Sequence, residues 1–222
     1  MPFLGVLMLD TRFPRPLGDI GNADTFARLQ IPVRYRPVTG ASPQRVVRDS
    51  GQLALQDFIV AAQELVEQGA TLLATSCGFL ARYQCELQAA VPVPLLSSSL
   101  LWLCEPELAA QRCGVLTIDA QAFDARQLSG VGADPATIVA GVAPGCEFQR
   151  RILGNEREMD LRQAGQDVVD GALALTRAHP EITALVLECT NMPPYARAVA
   201  VATGKRVEHI VSLIEHIWRE LA

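Results

Sequence analysis

Two cysteines follow apolar segments in the same way, and their spacing makes them the first candidates for chemistry. Cys77 comes shortly after the apolar run 70–74 and Cys189 shortly after 184–187, so the two thiols lie 112 residues apart. A thiolate can remove a proton from a carbon atom beside a carboxylate, and a thiol on the opposite side can return one. Two such thiols facing each other predict two-base racemisation of a small carboxylate, which needs no metal and no cofactor.

Neutral polar side chains flank both cysteines. Thr75 and Ser76 precede the first thiol, and Thr190 and Asn191 follow the second. Hydroxyl and amide groups hydrogen-bond to a carboxylate, so we predict that these four side chains bind the substrate. A helix that begins after each cysteine would add free N–H groups, which bind an anion and lower a thiol pKa from about 8.5 toward neutrality.

The cysteines belong to an internal repeat. Residues 5–10 (GVLMLD) have the same form as residues 114–119 (GVLTID), 109 residues later. Both segments are typical of short buried strands that end in an acid. The two halves therefore share one plan: a strand ending in Asp, helices, a strand ending near Cys, a helix, a strand and a helix.

Helical patterns alternate with these strands. Apolar residues recur at three- and four-residue steps in 55–66 and again in 168–175, as in amphipathic helices. Such alternation is typical of parallel sheets covered on both faces, with functional residues beyond the carboxyl ends of the strands. We predict an α/β fold of two pseudo-symmetric Rossmann-like (flavodoxin-like) lobes with parallel sheets and an interlobe cleft. Residues 1–98 and 206–222 would form the first lobe, and residues 99–205 the second.

Composition narrows the function classes and the partners. The 222 residues carry a formal net charge of −5, and 50% are hydrophobic but only 5% aromatic. The apolar fraction excludes a disordered chain. The acidic balance and the few aromatic residues argue against nucleic-acid binding. The N-terminus lacks the basic start of a signal peptide, and prolines interrupt the uncharged stretch 87–104. We expect a cytoplasmic protein that uses a small-molecule substrate and binds neither nucleic acid nor membrane.

The remaining cysteines and the histidines favour structural roles. No Cys/His cluster has zinc spacing, and His209 and His216, each preceded by Glu, read as helix-surface residues, so we predict no metal site. Four cysteines lack counterparts in the repeat and read as packing residues in a reducing compartment: Cys85, Cys104, Cys113 and Cys146.

Two charged residues near the first strand end are further candidates. Asp10 ends the strand and could either cap the next segment or lie in the site. Arg12 belongs to the Pro- and Gly-bearing loop 11–21, a kind of loop that often forms a lid. It could pair with a second substrate carboxylate or remain a solvated arginine.

These motifs resemble the aspartate/glutamate racemase superfamily, which also contains hydantoin racemases, maleate cis-trans isomerases and arylmalonate decarboxylases. The resemblance rests on the segments around the two cysteines and on the N-terminal strand, and it spans essentially the whole chain. It implies that Cys77 and Cys189 are the acid/base thiols and that Ser76, Thr190 and Asn191 hold the substrate carboxylate. It further implies a place for Asp10 beside the site, no cofactor, and a homodimer.

The chain departs from the amino-acid racemases beside each thiol. Gly78 and Phe79 stand where those enzymes usually have Asn-Thr, and Asn191 replaces a His or Glu. The second change removes an ionisable helper from the second thiol. We count Gly78 among the substrate-binding candidates and predict a two-cysteine racemase or epimerase acting on an amino acid or its derivative. The alternatives are a maleate-type isomerase or related decarboxylase, and an inactive two-lobed ligand-binding protein.

Overall fold

The computed structural model describes residues 2–49 and 55–221, and within them eight strands form two four-stranded parallel sheets. The first sheet has the order β2-β1-β3-β4 and the second the order β6-β5-β7-β8. The strands are β1 (Phe3–Leu9), β2 (Val33–Val38), β3 (Ala70–Thr75), β4 (Leu95–Leu96), β5 (Cys113–Thr117), β6 (Ile138–Gly141), β7 (Ala184–Leu187) and β8 (Arg206–His209). The equal orders confirm the predicted duplication and the α/β fold.

The central strands are apolar along their whole length because helices cover both faces of each sheet. Every residue of β1 is buried, and so is every residue of β7. Strand β1 pairs with β3, and β5 pairs with β7. The two cysteine-bearing segments therefore follow central strands, next to the strands that end at Asp10 and near Asp119.

In the described residues nine α-helices lie between strands, and a tenth follows the last strand. They are α1 (Ala23–Arg28), α2 (Pro43–Val47), α3 (Leu55–Glu67), α4 (Gln84–Ala89), α5 (Pro106–Ala109), α6 (Ala125–Gly130), α7 (Glu147–Leu153), α8 (Leu161–Ala178), α9 (Ala196–Thr203) and α10 (Ile210–Leu221). The predicted amphipathic helices are α3 and α8, which bury one apolar side each. None of the helices in residues 2–49 and 55–221 combines the length and apolar character needed to cross a bilayer.

One predicted helix is divided. The helix that the shared plan predicts after the last strand of the first half is instead a 3₁₀ turn, Ser99–Cys104, followed by the short α5. Pro106 explains the break, because a proline restricts the preceding residue to extended backbone. Glu105 accordingly has φ −73° and ψ 141°.

Strand β8 pairs with β7 and so belongs to the second sheet. The predicted division had placed residues 206–222 with the first lobe, so this segment differs from that expectation in its sheet pairing. Helix α10 packs against β8 and against the turn Ser99–Cys104. The exact lobe boundaries stay a prediction, and residues 1, 50–54 and 222 of the predicted first lobe lie outside the described part of the chain.

Candidate active site

Cys77 and Cys189 line the same cleft. Their side chains are buried, 8% and 7% exposed. The free cavity between them is small, about 20 Å³. Its lining residues come from both halves of the chain: Leu9, Phe13, Pro43, Val47, Ser76, Cys77, Gly78, Phe79, Ile118, Ile152, Leu153, Glu188, Cys189, Thr190 and Asn191. The topology thus brings together both predicted thiols and four of the predicted substrate-binding residues.

Hydrogen bonds fix the segment that carries Cys77. The Ser76 N–H donates to the Leu7 carbonyl at 3.0 Å, and the Ser76 hydroxyl accepts from the Leu9 N–H at 2.8 Å. The Thr75 hydroxyl donates to the Ser97 carbonyl at 2.7 Å. Thr75 is fully buried and absent from the cleft wall, so its hydroxyl holds the strand end in place rather than facing a ligand.

The two thiol segments also bond to each other. The Thr190 hydroxyl donates to the Ser76 carbonyl at 2.7 Å, which links the residue after the second cysteine to the residue before the first. The counterpart of this pair in the repeat is Gly78, which follows the first cysteine, and Glu188, which precedes the second. A β-carbon at position 78 would overlap both the side chain and the backbone carbonyl of Glu188. Only glycine lets the two segments approach this closely.

Burial is the main cause of the raised pKa of both thiols. It raises the pKa of Cys77 to about 12 and the pKa of Cys189 well above its usual value, and the nearby Glu188 adds to both shifts. The backbone N–H groups of Phe79 and Asn191 favour the respective thiolates. The predicted lowering of the thiol pKa toward neutrality is therefore wrong, because desolvation outweighs the effect of the N–H groups.

The predicted helix N-termini after the cysteines are also wrong. A 3₁₀ turn, Gly78–Tyr83, follows the first cysteine, and a shorter one, Pro193–Tyr195, follows the second. Two adjacent prolines at 193 and 194 lack the N–H groups of a regular helix start. Each thiol thus faces isolated backbone donors rather than a regular helix start with several free N–H groups.

Glu188 is the site residue that the sequence analysis left out. It is fully buried, and its Oε2 accepts a hydrogen bond from the Thr117 hydroxyl at 2.7 Å. Its Oε1 has no hydrogen-bond partner among the described residues. Burial raises the pKa of Glu188 to about 7. The available signal was its position, because an acid occupies the place that Ser76 holds in the first half.

Asn191 is oriented by the loop that follows β1. Its Nδ2 donates to Asp19 Oδ2 at 2.7 Å, and Asp19, which is 1% exposed, also pairs with Arg15 at 2.7 Å. This arrangement turns the amide oxygen toward the second thiol, and Cys189 Sγ donates to Asn191 Oδ1 at 3.7 Å. Asp19 therefore sets which end of the amide faces Cys189.

Asp10 and Arg12 lie outside the cleft lining. Both are exposed. The Asp10 carboxylate accepts from the Gly40 N–H at 3.4 Å, and the Arg12 N–H donates to Asn155 Oδ1 at 2.6 Å. Asn155 also donates to the Asp10 carbonyl at 3.1 Å. Asn155 thus connects the two halves here, and the substrate roles of Asp10 and Arg12 stay predictions.

Among the residues that the structure describes, one group of potential metal-ligand side chains lies away from the cleft lining. Glu105, Glu107 and His216 place potential ligand atoms within 4.8 Å of one another, and the His216 ring packs on Trp102 at 5.1 Å between centroids. His209 is half-buried at the end of β8, and burial lowers its pKa to about 4. His209 therefore does not have the solvated surface position that the sequence suggested.

Comparison with known proteins gives named relatives, although no family model matches the chain. The chain is 30% identical to a dimethylsulfoniopropionate lyase of Durusdinium sp. clade D over 217 residues, which cover 90% of the chain and 69% of that protein. It is 31% identical to dimethylsulfoniopropionate lyase 6 of Emiliania huxleyi (strain CCMP1516) over 222 residues, which cover 91% of the chain and 55% of that protein. The chain thus spans little more than half of the second relative.

Solved structures with the same fold belong to the superfamily that the sequence resembles. An aspartate racemase homologue from Pyrococcus horikoshii OT3 matches with a TM-score of 0.59 and 14% identity, covering 100% of the chain and 99% of that structure. Unliganded arylmalonate decarboxylase matches with a TM-score of 0.57 and 14% identity, covering 93% and 86%. These matches confirm the predicted two-lobed α/β fold.

Proposed function

The chain belongs to the family of the dimethylsulfoniopropionate lyases, and from this premise we propose that it is a lyase that cleaves dimethylsulfoniopropionate by β-elimination. The observation that carries the proposal is the pair of buried thiols, Cys77 and Cys189, in one largely apolar cleft. A thiolate there can take the proton beside the substrate carboxylate, which is the first requirement of such an elimination.

The predicted racemase activity is wrong, because the relatives at 30% and 31% identity are named as lyases. The protein is an enzyme, as predicted, but the isomerase class is not supported. The decarboxylase alternative agrees better with the names of these relatives, since a decarboxylase is also a lyase. Removal of a proton beside a carboxylate is common to racemisation and β-elimination, and the two reactions diverge only in the fate of the carbanion.

The proposed elimination requires only one base. The Cys77 thiolate takes a proton from the α-carbon, the electron pair of that C–H bond forms the α,β double bond, and the bond from the β-carbon to sulfur breaks with its electron pair on sulfur. The products are acrylate and neutral dimethyl sulfide. The Cys77 thiol then gives its proton to solvent, which restores the thiolate for the next turnover.

The surrounding charges make Cys77 the more readily ionised thiol of the two. The Arg82 cation favours its thiolate, whereas the charges near Cys189, including Asp19, disfavour ionisation of that thiol. Cys189 stays protonated in this account and contacts the substrate as a neutral group. The direction of these charges is the reason for assigning the two roles unequally.

A cationic substrate suits the cleft. Burial favours the protonated form of both thiols, and a sulfonium ion beside Cys77 would lower the pKa of that thiol by charge attraction. Phe13 and Phe79, on the wall, offer aromatic and apolar surface to the sulfonium methyl groups. The positive charge disappears when dimethyl sulfide departs, so the leaving group loses this attraction.

The carboxylate end of the substrate needs neutral donors. The Ser76 hydroxyl accepts from Leu9 and retains its own proton to donate. The hydroxyls of Thr75 and Thr190 already donate to backbone carbonyls. In this proposal Ser76 contacts the substrate carboxylate, while the two threonines hold Ser76 in position.

Proton NMR in deuterated buffer tests the proposal. Incubation of the protein with dimethylsulfoniopropionate is expected to produce vinyl signals of acrylate and the methyl signal of dimethyl sulfide in equal amounts. Incubation with aspartate is expected to leave its α-proton unchanged. The proposal fails if no acrylate forms.

We further propose a reducing compartment for the protein. All six cysteines are free thiols, which suits a reducing cytoplasm. The cytoplasmic location and the homodimer both stay predictions.

A further inference from the structure

Glu188 is an acidic residue in the wall of the cleft, and we expect that cleft to bind the substrate carboxylate. We propose that Glu188 acts as a neutral carboxylic acid and donates a hydrogen bond from Oε1 to the substrate carboxylate. The inference rests on the proposed function for the identity of that substrate. It assigns a substrate-contacting role to a residue for which the sequence motifs predicted none.

The two oxygen atoms of Glu188 have different surroundings. Thr117 donates to Oε2 at 2.7 Å, which fixes the plane of the carboxyl group. Oε1 is buried without a partner in the described residues. It lies beside Gly78, so close that a β-carbon there would overlap it. Since Gly78 and Glu188 both line the cleft, a ligand in the cleft can supply the missing partner.

The electrostatic surroundings favour the neutral acid. Desolvation raises the pKa of Glu188 to about 7, although the Thr117 hydrogen bond acts in the opposite direction. The titratable groups that face it are the thiols Cys77 and Cys189, whose own pKa values lie far higher. The further charged groups that act on these thiols are Arg82 on the first and Asp19 on the second.

A neutral acid helps both binding and reaction. An ionised Glu188 would repel the substrate carboxylate, whereas a protonated one donates to it. Removal of the α-proton moves further negative charge onto the carboxylate oxygens. A preorganised donor in a water-poor site stabilises that developing charge more than the ground state. Carboxylic acids kept neutral by apolar surroundings perform this task in other enzymes.

Binding of sodium propionate, measured by calorimetry between pH 5.5 and pH 8.5, tests the inference without turnover. Propionate stays ionised over this range, and the thiols stay protonated. In the wild-type protein the affinity is expected to fall about tenfold for each pH unit above about 7, because binding requires the proton on Glu188. Glu188→Gln keeps a donor near the Oε1 position and should bind propionate with no such pH dependence.

Glu188→Leu removes the donor and should bind propionate weakly at every pH. The inference is overturned if the wild-type protein binds no propionate, or if wild type and Glu188→Gln respond alike to pH. It is also overturned if Glu188→Gln binds as weakly as Glu188→Leu. If Glu188→Leu does not fold, the comparison of wild type with Glu188→Gln decides.

The outcomes separate this inference from the proposed function. Proton-linked propionate binding without release of dimethyl sulfide would refute the lyase proposal alone. Release of dimethyl sulfide with pH-independent propionate binding would refute the role of Glu188 alone.

Discussion

The carboxyl group of Glu188 fills the space that a side chain at position 78 would need. Glu188 follows β7 in the second half of the chain, and Gly78 follows the first thiol. The contact therefore holds the two cysteine-bearing segments together at the cleft. It also explains the glycine at the position where the amino-acid racemases usually have asparagine.

Substitution of Gly78 by alanine is expected to displace Glu188 and to lower the free energy of unfolding by about 1–3 kcal/mol, because the new methyl group meets the carboxyl group and the backbone. Denaturant unfolding measures the loss. Gly78→Ser should lose at least as much. Unchanged stability in both variants would show that the two segments can separate freely.

Replacement of Thr190 by valine should weaken the link between the two thiol segments. The variant leaves the buried Ser76 carbonyl without its donor, which costs about 1–3 kcal/mol of unfolding free energy, and we expect a lower kcat/KM. Thr203→Val is a matched control, because Thr203 donates to the Val199 carbonyl at 2.8 Å within α9. Equal losses of kcat/KM in the two variants would contradict a role for the Thr190 bond in the cleft.

Asp19→Ala should lower stability by about 3 kcal/mol, because it leaves Arg15 and the Asn191 amide without their buried partner. The amide would then be free to turn, and activity should fall as well. Glu215→Ala removes a partner of the exposed Arg219, and its effect should be within about 0.5 kcal/mol. Thermal or denaturant unfolding of both variants checks the contrast, and similar losses would argue against a buried network.

The pH dependence of kcat/KM should reveal two opposing titrations. Below about pH 7 the value is expected to rise about tenfold per pH unit, because the Cys77 thiolate becomes more abundant. Above about pH 7 the neutral form of Glu188 falls by the same factor, so the two effects cancel and the profile becomes flat. In Glu188→Gln only the thiol titrates, so the rise should continue. A rise in wild type that continues as it does in the variant would contradict this account.

The sequence was sufficient for the features that depend on local pattern. The repeat predicted two equal parallel sheets, and the matched positions of Cys77 and Cys189 predicted that both thiols reach one cleft. Apolar periodicity located α3 and α8. These predictions succeeded because burial on both faces of a sheet imposes a recognisable pattern on each strand and helix.

Other features arise only when the two halves are in contact. The role of Glu188 depends on its approach to Gly78 from the opposite half, which no spacing along the chain encodes. The thiol pKa values depend on desolvation by both walls. Two prolines follow soon after Asn191 in the sequence. Prolines lack the N–H groups that a helix start would offer, and the prediction of a helix N-terminus there did not take this into account. The difference between racemase and lyase came from the relatives, since both reactions begin with the same proton transfer.

The central claim is that the Cys77 thiolate starts the elimination, and the most direct test is the rate of dimethyl sulfide release from dimethylsulfoniopropionate by gas chromatography. Cys77→Ser is expected to reduce kcat by about 10²–10⁴-fold, the usual contribution of a general base. Cys85→Ser, at an exposed cysteine outside the cleft lining, should retain the wild-type rate. Undiminished release of dimethyl sulfide by folded Cys77→Ser would contradict the account.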